Sequence, residues 1–309
     1  MKTAFLFPGQ GSQYVGMGKA LFENSESARR IFATADQVLG FSISKLCFEG
    51  PEDELKRTEN AQPALLTVSY AAFVAAKECG IEPDGMAGHS LGEYTALAAS
   101  GAITFEDALR LVRERGRLMG EAGKATNGGM AAVLSVPKET LSEWIQKTCP
   151  GLVELANLNS PGQIVVSGKK EGLDKLAAVV SENKGRFIPL AVSGAFHSSL
   201  MQPAAEAYKA VVFSVKFSMP NPLVVANVTA GPIIDASVIP QQLVKHIVSP
   251  VRWEETLRYF ESEGYTHYIE IGPGKVLSGL VKKTVQSAVI AQVEEVEAAK
   301  KVLAILKEV

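Results

Sequence analysis

Ser90 stands in Gly88-His89-Ser90-Leu91-Gly92, the G-x-S-x-G spacing of a nucleophile elbow. Before it, Pro83-Asp84 closes a turn and Gly85-Met86-Ala87 is a small apolar run suited to a buried strand. After it, Tyr94 to Ala99 is Ala-rich and favours a helix, ending at Ser100-Gly101. Glycines two before and two after the serine leave room for a strained turn that larger residues would crowd. Such a turn would hold the Ser90 hydroxyl above the end of a sheet, at the positive end of a helix. The Leu91 N–H would then point toward an oxyanion formed on an attacked carbonyl. The chemistry this permits is nucleophilic attack on an acyl group. A chance match in a Gly-rich chain is the alternative, and the strand–turn–helix context speaks against it.

A serine hydroxyl needs a base to attack. Of the four histidines, His89 lies inside the elbow, where its side chain turns away from that of Ser90, and His267 begins a strand. His246 comes late in a helix, which suggests a surface or helix-end role. His197 follows Gly194 in a small-residue loop at the start of a helix, a place from which a side chain can enter a cleft. A helix N-terminus there would disfavour the imidazolium and keep the base neutral. His197 therefore carries most weight without excluding the others. No Asp or Glu between Ser90 and His197 stands out as a third member, so a pair oriented by a backbone carbonyl is expected.

Two further features could serve the same site. A long helix is expected from Thr104 as N-cap, with Glu106 and Asp107 in its first turn, to about Met119. Its register puts Arg115 on one face with Leu111, Leu118 and Met119, while Arg110, Arg113 and Arg117 point elsewhere. The alternative for Arg115 is an arginine that snorkels or pairs with a carboxylate. Near the N-terminus the strand Thr3 to Phe7 runs into Pro8-Gly9-Gln10-Gly11-Ser12-Gln13. That loop lacks the length and the Lys for cradling phosphate. It is either a plain connection or a site loop at the C-terminal end of a parallel strand.

The elements that must position these residues follow in order. Residues 16–80 read as helical, including Glu26 to Val38, Pro51 to Leu55, and Ala61 to Cys79 with Pro63 in its first turn. After Ala125-Thr126-Asn127-Gly128-Gly129 the pattern changes. Met130 to Val136 reads as a strand, Lys138 to Lys147 as a helix, and Leu152 to Leu158 as a strand. A turn at Asn159-Ser160-Pro161-Gly162 precedes the strand Ile164 to Ser167, the helix Lys170 to Glu182 and the strand Arg186 to Leu190. This β-α-β-β-α-β order is the ferredoxin-like split motif. Next come a helix from about Leu200 to Phe213, a strand Leu223 to Asn227, and helices around residues 237–247 and 251–262. The chain closes with the strand from Tyr268 into Gly272-Pro273-Gly274, a helix Val276 to Thr284, a strand Ala288 to Ala291 and a helix Glu294 to Lys307. The expected fold class is α/β: a large domain with a parallel sheet, from residues 1–127 and 192–309, interrupted by a small subdomain over residues 128–191.

Composition bounds the function. In 309 residues, 47% are hydrophobic and 21% charged, with a formal charge of −2, which describes an ordinary globular chain rather than a nucleic-acid binder. No apolar run is long enough to span a bilayer, and the residues from Met1 to Pro8 are too short for a signal peptide. Cys47, Cys79 and Cys149 are odd in number and in no metal or redox spacing, as expected of thiols in a reducing cytoplasm. No metal site, cofactor, nucleic-acid partner or membrane contact is expected.

Seven segments together resemble one family. They are Phe7 to Gln13, Gln62-Pro63-Ala64-Leu65-Leu66, Gly88 to Glu93, Arg115-Gly116 with Met119, Asn159-Ser160-Pro161-Gly162-Gln163, Gly194-Ala195-Phe196-His197 and Gly272-Pro273-Gly274. In this order they resemble the bacterial malonyl-CoA:acyl carrier protein transacylases over nearly the whole chain. The resemblance implies a hydrolase-like α/β domain with a ferredoxin-like insert, malonyl-CoA and acyl carrier protein as partners, and a role in fatty-acid elongation. It implies Ser90 as nucleophile, His197 as base, and Gln10 with the Leu91 N–H as the oxyanion hole. It also implies a substrate pocket containing Arg115, Met119, Gln62 and Phe196. The carbonyl that orients the catalytic histidine falls by position on His246, where family members often carry Gln; a main-chain role tolerates that departure. Ala195-Phe196-His197 resembles the malonyl-selecting version of related acyltransferase domains. Two rivals remain at this stage. One is a serine hydrolase, which would consume malonyl-CoA without an acceptor thiol. The other is a carrier-binding scaffold, which would tolerate loss of Ser90 or His197.

Overall fold

The computed structural model describes residues 2–307. Its strands are β1 (Lys2–Phe7), β2 (Gly85–Gly88), β3 (Gly128–Leu134), β4 (Val153–Ser160), β5 (Gln163–Lys169), β6 (Arg186–Pro189), β7 (Leu223–Ala226), β8 (Gly231–Pro232), β9 (Tyr265–Ile271) and β10 (Val289–Val293). They form a six-stranded sheet in the order β10-β9-β1-β2-β7-β8 and a four-stranded sheet in the order β4-β5-β3-β6. In the large sheet every pairing is parallel except the short β7–β8 edge.

The parallel strands are apolar on both faces because helices cover both. Along β1, Phe5 and Phe7 point into one core, while Ala4 and Leu6 point into the other. The first core contains the helices Thr58–Glu78 and Phe105–Ala125. The second contains Trp253 and Leu257 of the helix Trp253–Ser262, with Leu277 and Val281 of Val276–Thr284. In the small sheet β3 pairs antiparallel with β5 and β6, and β5 with β4. Helices Lys138–Thr148 and Lys170–Glu182 supply a third core beneath it. The small sheet is tied to the segment ahead of the helix Trp253–Ser262, where Leu158 N–H donates to the Val251 carbonyl and Val251 N–H to the Ala156 carbonyl, both at 2.9 Å. Among the described residues no single helix is long and apolar enough to cross a membrane.

Two helices and one turn differ from expectation. The long N-terminal helix begins at Thr58, so Pro63 lies inside it rather than in its first turn. An internal proline has no N–H for the carbonyl four residues back, here that of Glu59. The Arg113 guanidinium supplies the missing donor, reaching Glu59 O at 2.7 Å and Asn60 Oδ1 at 2.6 Å. The helix capped by Thr104, whose hydroxyl accepts from Asp107 N–H at 3.1 Å, runs past Met119 to Ala125. Its Gly123 breaks the sequence pattern but lies against the backbone of Ser193 and Gly194, where a Cβ would collide. Tertiary approach outweighs local propensity there. The turn after β4 is confined to Pro161-Gly162, and Asn159 and Ser160 belong to the strand.

Arg113→Ala should leave the Glu59 carbonyl without a donor and cost about 1–3 kcal/mol. Arg110→Ala removes an exposed pair with Asp107 on the same helix and should cost under about 1 kcal/mol. Denaturant unfolding of the two variants checks the difference; equal costs would mean that Arg113 does not cap the proline break.

Candidate active site

Parallel pairing places Phe7 beside Gly88, so the loops leaving β1 and β2 emerge at the same sheet edge. His89 N–H donates to the Phe7 carbonyl at 3.0 Å and ties the two loops together. At Ser90 the backbone turns left-handed, with φ 52°, and the helix Gly92–Ala99 begins two residues later. A Cβ on Gly88 would run into the backbone of Gly92, and one on Gly92 into the carbonyl of Phe7. The glycines of the elbow are thus required by contact with the chain itself. Neither the Leu91 nor the Gln10 N–H donates to an acceptor among the described residues, and both residues line the cleft above Ser90.

Ser90 Oγ lies 2.8 Å from His197 Nε2. His197 Nδ1 faces two carbonyls, His246 O at 2.9 Å and Ser249 O at 3.2 Å. Carbonyls only accept, so Nδ1 carries the proton and Nε2 is left as the acceptor for the Ser90 hydroxyl. The histidine sits in a loop with φ 58°, ahead of a short 3-10 turn at Ser199–Met201 and the α-helix Gln202–Phe213. It does not begin a helix, so the expected helix-terminus effect is replaced by another cause. Burial, and next the charge of Arg115, hold its pKa down to about 3. The His197 imidazole is neutral near pH 7 for that reason.

Arg115 is 1% exposed. One nitrogen donates to Gln62 Oε1 at 2.8 Å and another to Ser90 Oγ at 3.2 Å, with the guanidinium 5.5 Å from the centre of the Tyr94 ring. Among the described residues no carboxylate pairs with it, and its Nε has no partner. Burial excludes snorkelling, and no carboxylate of the described residues lies within ion-pair distance, although Glu93 feels the Arg115 charge. Arg110 and Arg117 make exposed pairs with acidic neighbours instead. A cleft of about 400 Å³ brings together Gln10, Gln62, Ser90, Leu91, Arg115, Met119, Phe196 and His197. A second cleft, about 600 Å³, lies beside Lys138, Glu139, Glu254 and Glu255 and contains no nucleophile–base pair.

His246 is the expectation that changes most. It is completely buried rather than near the surface, its ring 5.1 Å from that of His197 and its Nδ1 3.6 Å from Glu93 Oε2. Its helix, Ile239–Ile247, presents it inward with Leu243 and Ile247. Three residues that sequence reasoning passed over complete the site. Asn227 follows β7 and clamps the elbow: its Oδ1 accepts from Ser90 N–H at 2.8 Å, and its Nδ2 donates to Gly88 O at 2.7 Å. Asn227 N–H in turn donates to Glu93 Oε2 at 2.9 Å, and burial pushes the Glu93 carboxyl up to about 7. Asn159 Oδ1 accepts from His89 Nε2 at 2.8 Å and keeps that ring away from Ser90. A polar residue immediately after a buried parallel strand was the available signal for Asn227. Among the described residues no group of three or more His, Cys, Asp and Glu side chains is placed to hold a metal ion.

The chain is similar over nearly its whole length to known proteins. The family model of the acyl transferase domain matches residues 4–306. The chain is 50% identical over 285 residues to the malonyl CoA-acyl carrier protein transacylase of Bacillus subtilis (strain 168), covering 91% of this chain and 90% of that one. It superposes on the malonyl CoA-acyl carrier protein transacylase from Clostridium perfringens Atcc 13124 with a TM-score of 0.96 at 41% identity, covering 100% of this chain and 98% of the other. A malonyl-transacylase solved in complex with a type II PKS acyl-carrier protein gives a TM-score of 0.95 at 38% identity, covering 99% of this chain and 100% of that one.

Because the His246 contact to His197 is made by its carbonyl, His246→Gln should keep acyl transfer within a few-fold of wild type. Steady-state rates of the two proteins check this; a loss as deep as that of His197→Ala in a folded variant would implicate the imidazole itself.

Proposed function

The chain belongs to the acyl transferase domain family, and from that premise we infer that it moves a malonyl group from malonyl-CoA to the phosphopantetheine thiol of acyl carrier protein. The acyl group travels as an ester on Ser90. The observation that carries this reading is Arg115, a buried cation without a carboxylate of its own, beside a serine nucleophile. A buried unpaired charge is costly, and the free carboxylate of malonyl is the partner it lacks. The planar fork of arginine pairs with both carboxylate oxygens, which lysine cannot do.

The cycle has two halves. Ser90 gives its proton to His197 Nε2 while Oγ bonds to the thioester carbon, and the carbonyl electron pair moves onto oxygen. That oxyanion is met by the N–H groups of Gln10 and Leu91. The pair returns, the C–S bond breaks, and the CoA sulfur leaves with the proton from His197. In the second half the carrier thiol gives its proton to His197 and its sulfur attacks the ester. Ser90 Oγ then leaves and takes the proton back. A histidine with so low a pKa is neutral when it must accept, and its conjugate acid releases the proton readily.

Gln62 fixes the Arg115 fork, with Met119 Sδ 3.9 Å from the Gln62 amide, and Met119 and Phe196 form apolar wall around the acyl group. We assign residues 1–127 and 192–309 to the acyltransferase domain and residues 128–191 to an inserted subdomain whose inner edge closes the cleft. The reaction belongs to cytoplasmic fatty-acid elongation.

Intact mass after mixing with malonyl-CoA should show one malonyl adduct, located on the Ser90 peptide and absent in Ser90→Ala. An adduct that persists in Ser90→Ala would overturn the assignment. His197→Ala should slow acylation by about 10²–10⁴-fold.

Selectivity follows from Arg115. Its replacement by Ala should lower malonyl transfer by about 3 kcal/mol, roughly a hundredfold, while acetyl transfer is spared. Arg115→Lys should be intermediate. Competing CoA esters give the malonyl-to-acetyl loading ratio; an unchanged ratio in Arg115→Ala would remove Arg115 from the selectivity of the enzyme.

A further inference from the structure

The Ser90–His197 pair has no carboxylate on the histidine: His197 Nδ1 is held by two backbone carbonyls. An imidazolium nevertheless forms there in each half of the cycle, within a site whose fixed charge, Arg115, repels it. Glu93 lies behind that pair and has no part in the mechanism so far. Its side chain is 1% exposed, its Oε2 is fixed by Asn227 N–H, and the same oxygen is 3.6 Å from His246 Nδ1. The His246 ring also packs on that of His197, 5.1 Å between ring centres and inclined by 36°. Neither nitrogen of His246 has a hydrogen-bond partner among the described residues. The three groups are thus buried neighbours, Glu93 beside His246 and His246 against His197.

We propose that Glu93 supplies the negative charge that the Ser90–His197 pair otherwise lacks, its carboxylate stabilising the imidazolium on His197 across the His246 ring. This rests on the reading of Ser90 and His197 given above. The Glu93 backbone N–H donates to the Ser90 carbonyl at 3.1 Å, but its carboxyl makes no hydrogen bond to Ser90, so it is a positioning residue that acts by its field. It keeps its own proton state through the cycle; the proton passes only between Ser90 or thiol and His197 Nε2. The side chain between them need only be neutral and polar, so glutamine in place of His246 is compatible with the role.

The charged and titratable groups around Glu93 make the effect readable in pH. Arg115 faces it from the helix Phe105–Ala125, His246 from Ile239–Ile247, and Tyr94 is its neighbour on Gly92–Ala99. Burial drives His246 well below the ordinary histidine range and Tyr94 up to about 12, so both are neutral near pH 7. His89 is also pushed down by burial. With His197 near 3, Glu93 near 7 falls between pH 5 and 9. A carboxyl raised by burial is neutral below that value and charged above it. Acylation should therefore quicken as pH rises through about 7. When malonyl engages Arg115, that cation is neutralised and the Glu93 charge is left to His197.

The test is the pH profile of kcat/KM for malonyl-Ser90 formation, which reports groups of the free enzyme. It is followed by quenched intact mass in wild type and Glu93→Gln. Glutamine keeps an oxygen for Asn227 N–H and removes only the charge. Wild type should show an acid limb near pH 7. Glu93→Gln should be flat from pH 6 to 8 and about thirtyfold slower at pH 8, the scale for one charge roughly 8 Å away at an effective dielectric near 20. A limb that persists in Glu93→Gln would belong to His197 itself and overturn the proposal, as would a rate at pH 8 equal to wild type. Should Glu93→Gln fail to fold, Glu93→Asp serves: a limb that moves supports the role, and one that stays removes it. The adduct mass and its site report on Ser90, while the rate and its pH dependence report on Glu93, so the two readings fail separately.

Discussion

Ser90 and His197, the proposed reactive pair, both occupy left-handed backbone, at φ 52° and φ 58°. A residue with a side chain adopts that conformation at a cost of about 1–3 kcal/mol, and keeps it only where its surroundings leave no alternative. The surroundings here are specific. Gly88 and Gly92 press against each other and against Phe7, and Asn227 holds the backbone on both sides of the elbow. On the other side, Gly123 and Gly194 bring the His197 loop onto the helix that carries Arg115. The parallel sheet supplies the rigid edge from which the elbow projects, and the two apolar cores on its faces offset the strain. Catalytic geometry is thus a property of backbone contacts far more than of the reactive side chains.

The same economy explains how a serine is activated without an ionised partner on the histidine. Two carbonyls fix the tautomer of His197, and burial keeps it neutral, so Nε2 faces Ser90 as an acceptor at all ordinary pH. The Asn227 backbone N–H and side chain then link Glu93, Ser90 and Gly88 into one hydrogen-bonded unit beneath the cleft.

What could be read from the chain follows from how local each signal is. The elbow lies within a few residues, and its glycines are needed by the turn itself, so Gly88 to Gly92 announced it. Arg115 was separable from its three neighbours because the 3.6-residue period is local too. The order of β3 to β6 and their helices emerged from alternation and turn residues. The misplaced features depend on contacts distant in sequence. Pro63 sits inside a helix because Arg113 caps the carbonyl it abandons, and nothing near Pro63 says so. The helix continues past Met119 through Gly120 and Gly123 because a loop some seventy residues on packs against it. His246 does end its helix, as its position suggests, but nothing near it in sequence tells that Glu93, His197 and apolar side chains bury it.

Arg115 joins selectivity to reactivity. Its guanidinium donates to Ser90 Oγ, which draws electron density from the nucleophile, and its charge is the second cause that depresses His197. Both effects oppose attack in the empty enzyme. A substrate carboxylate placed on that guanidinium would engage the donors and offset the charge together, making Ser90 more nucleophilic and His197 more basic. An acetyl group or a water molecule in the cleft brings no such compensation. On the malonyl reading, the residue that recognises the acyl group therefore also restrains the machinery until that group arrives. A buried arginine without a carboxylate, costly as it is to fold, fits this double role better than a permanent ion pair would, because a permanent partner would abolish both the recognition and the restraint.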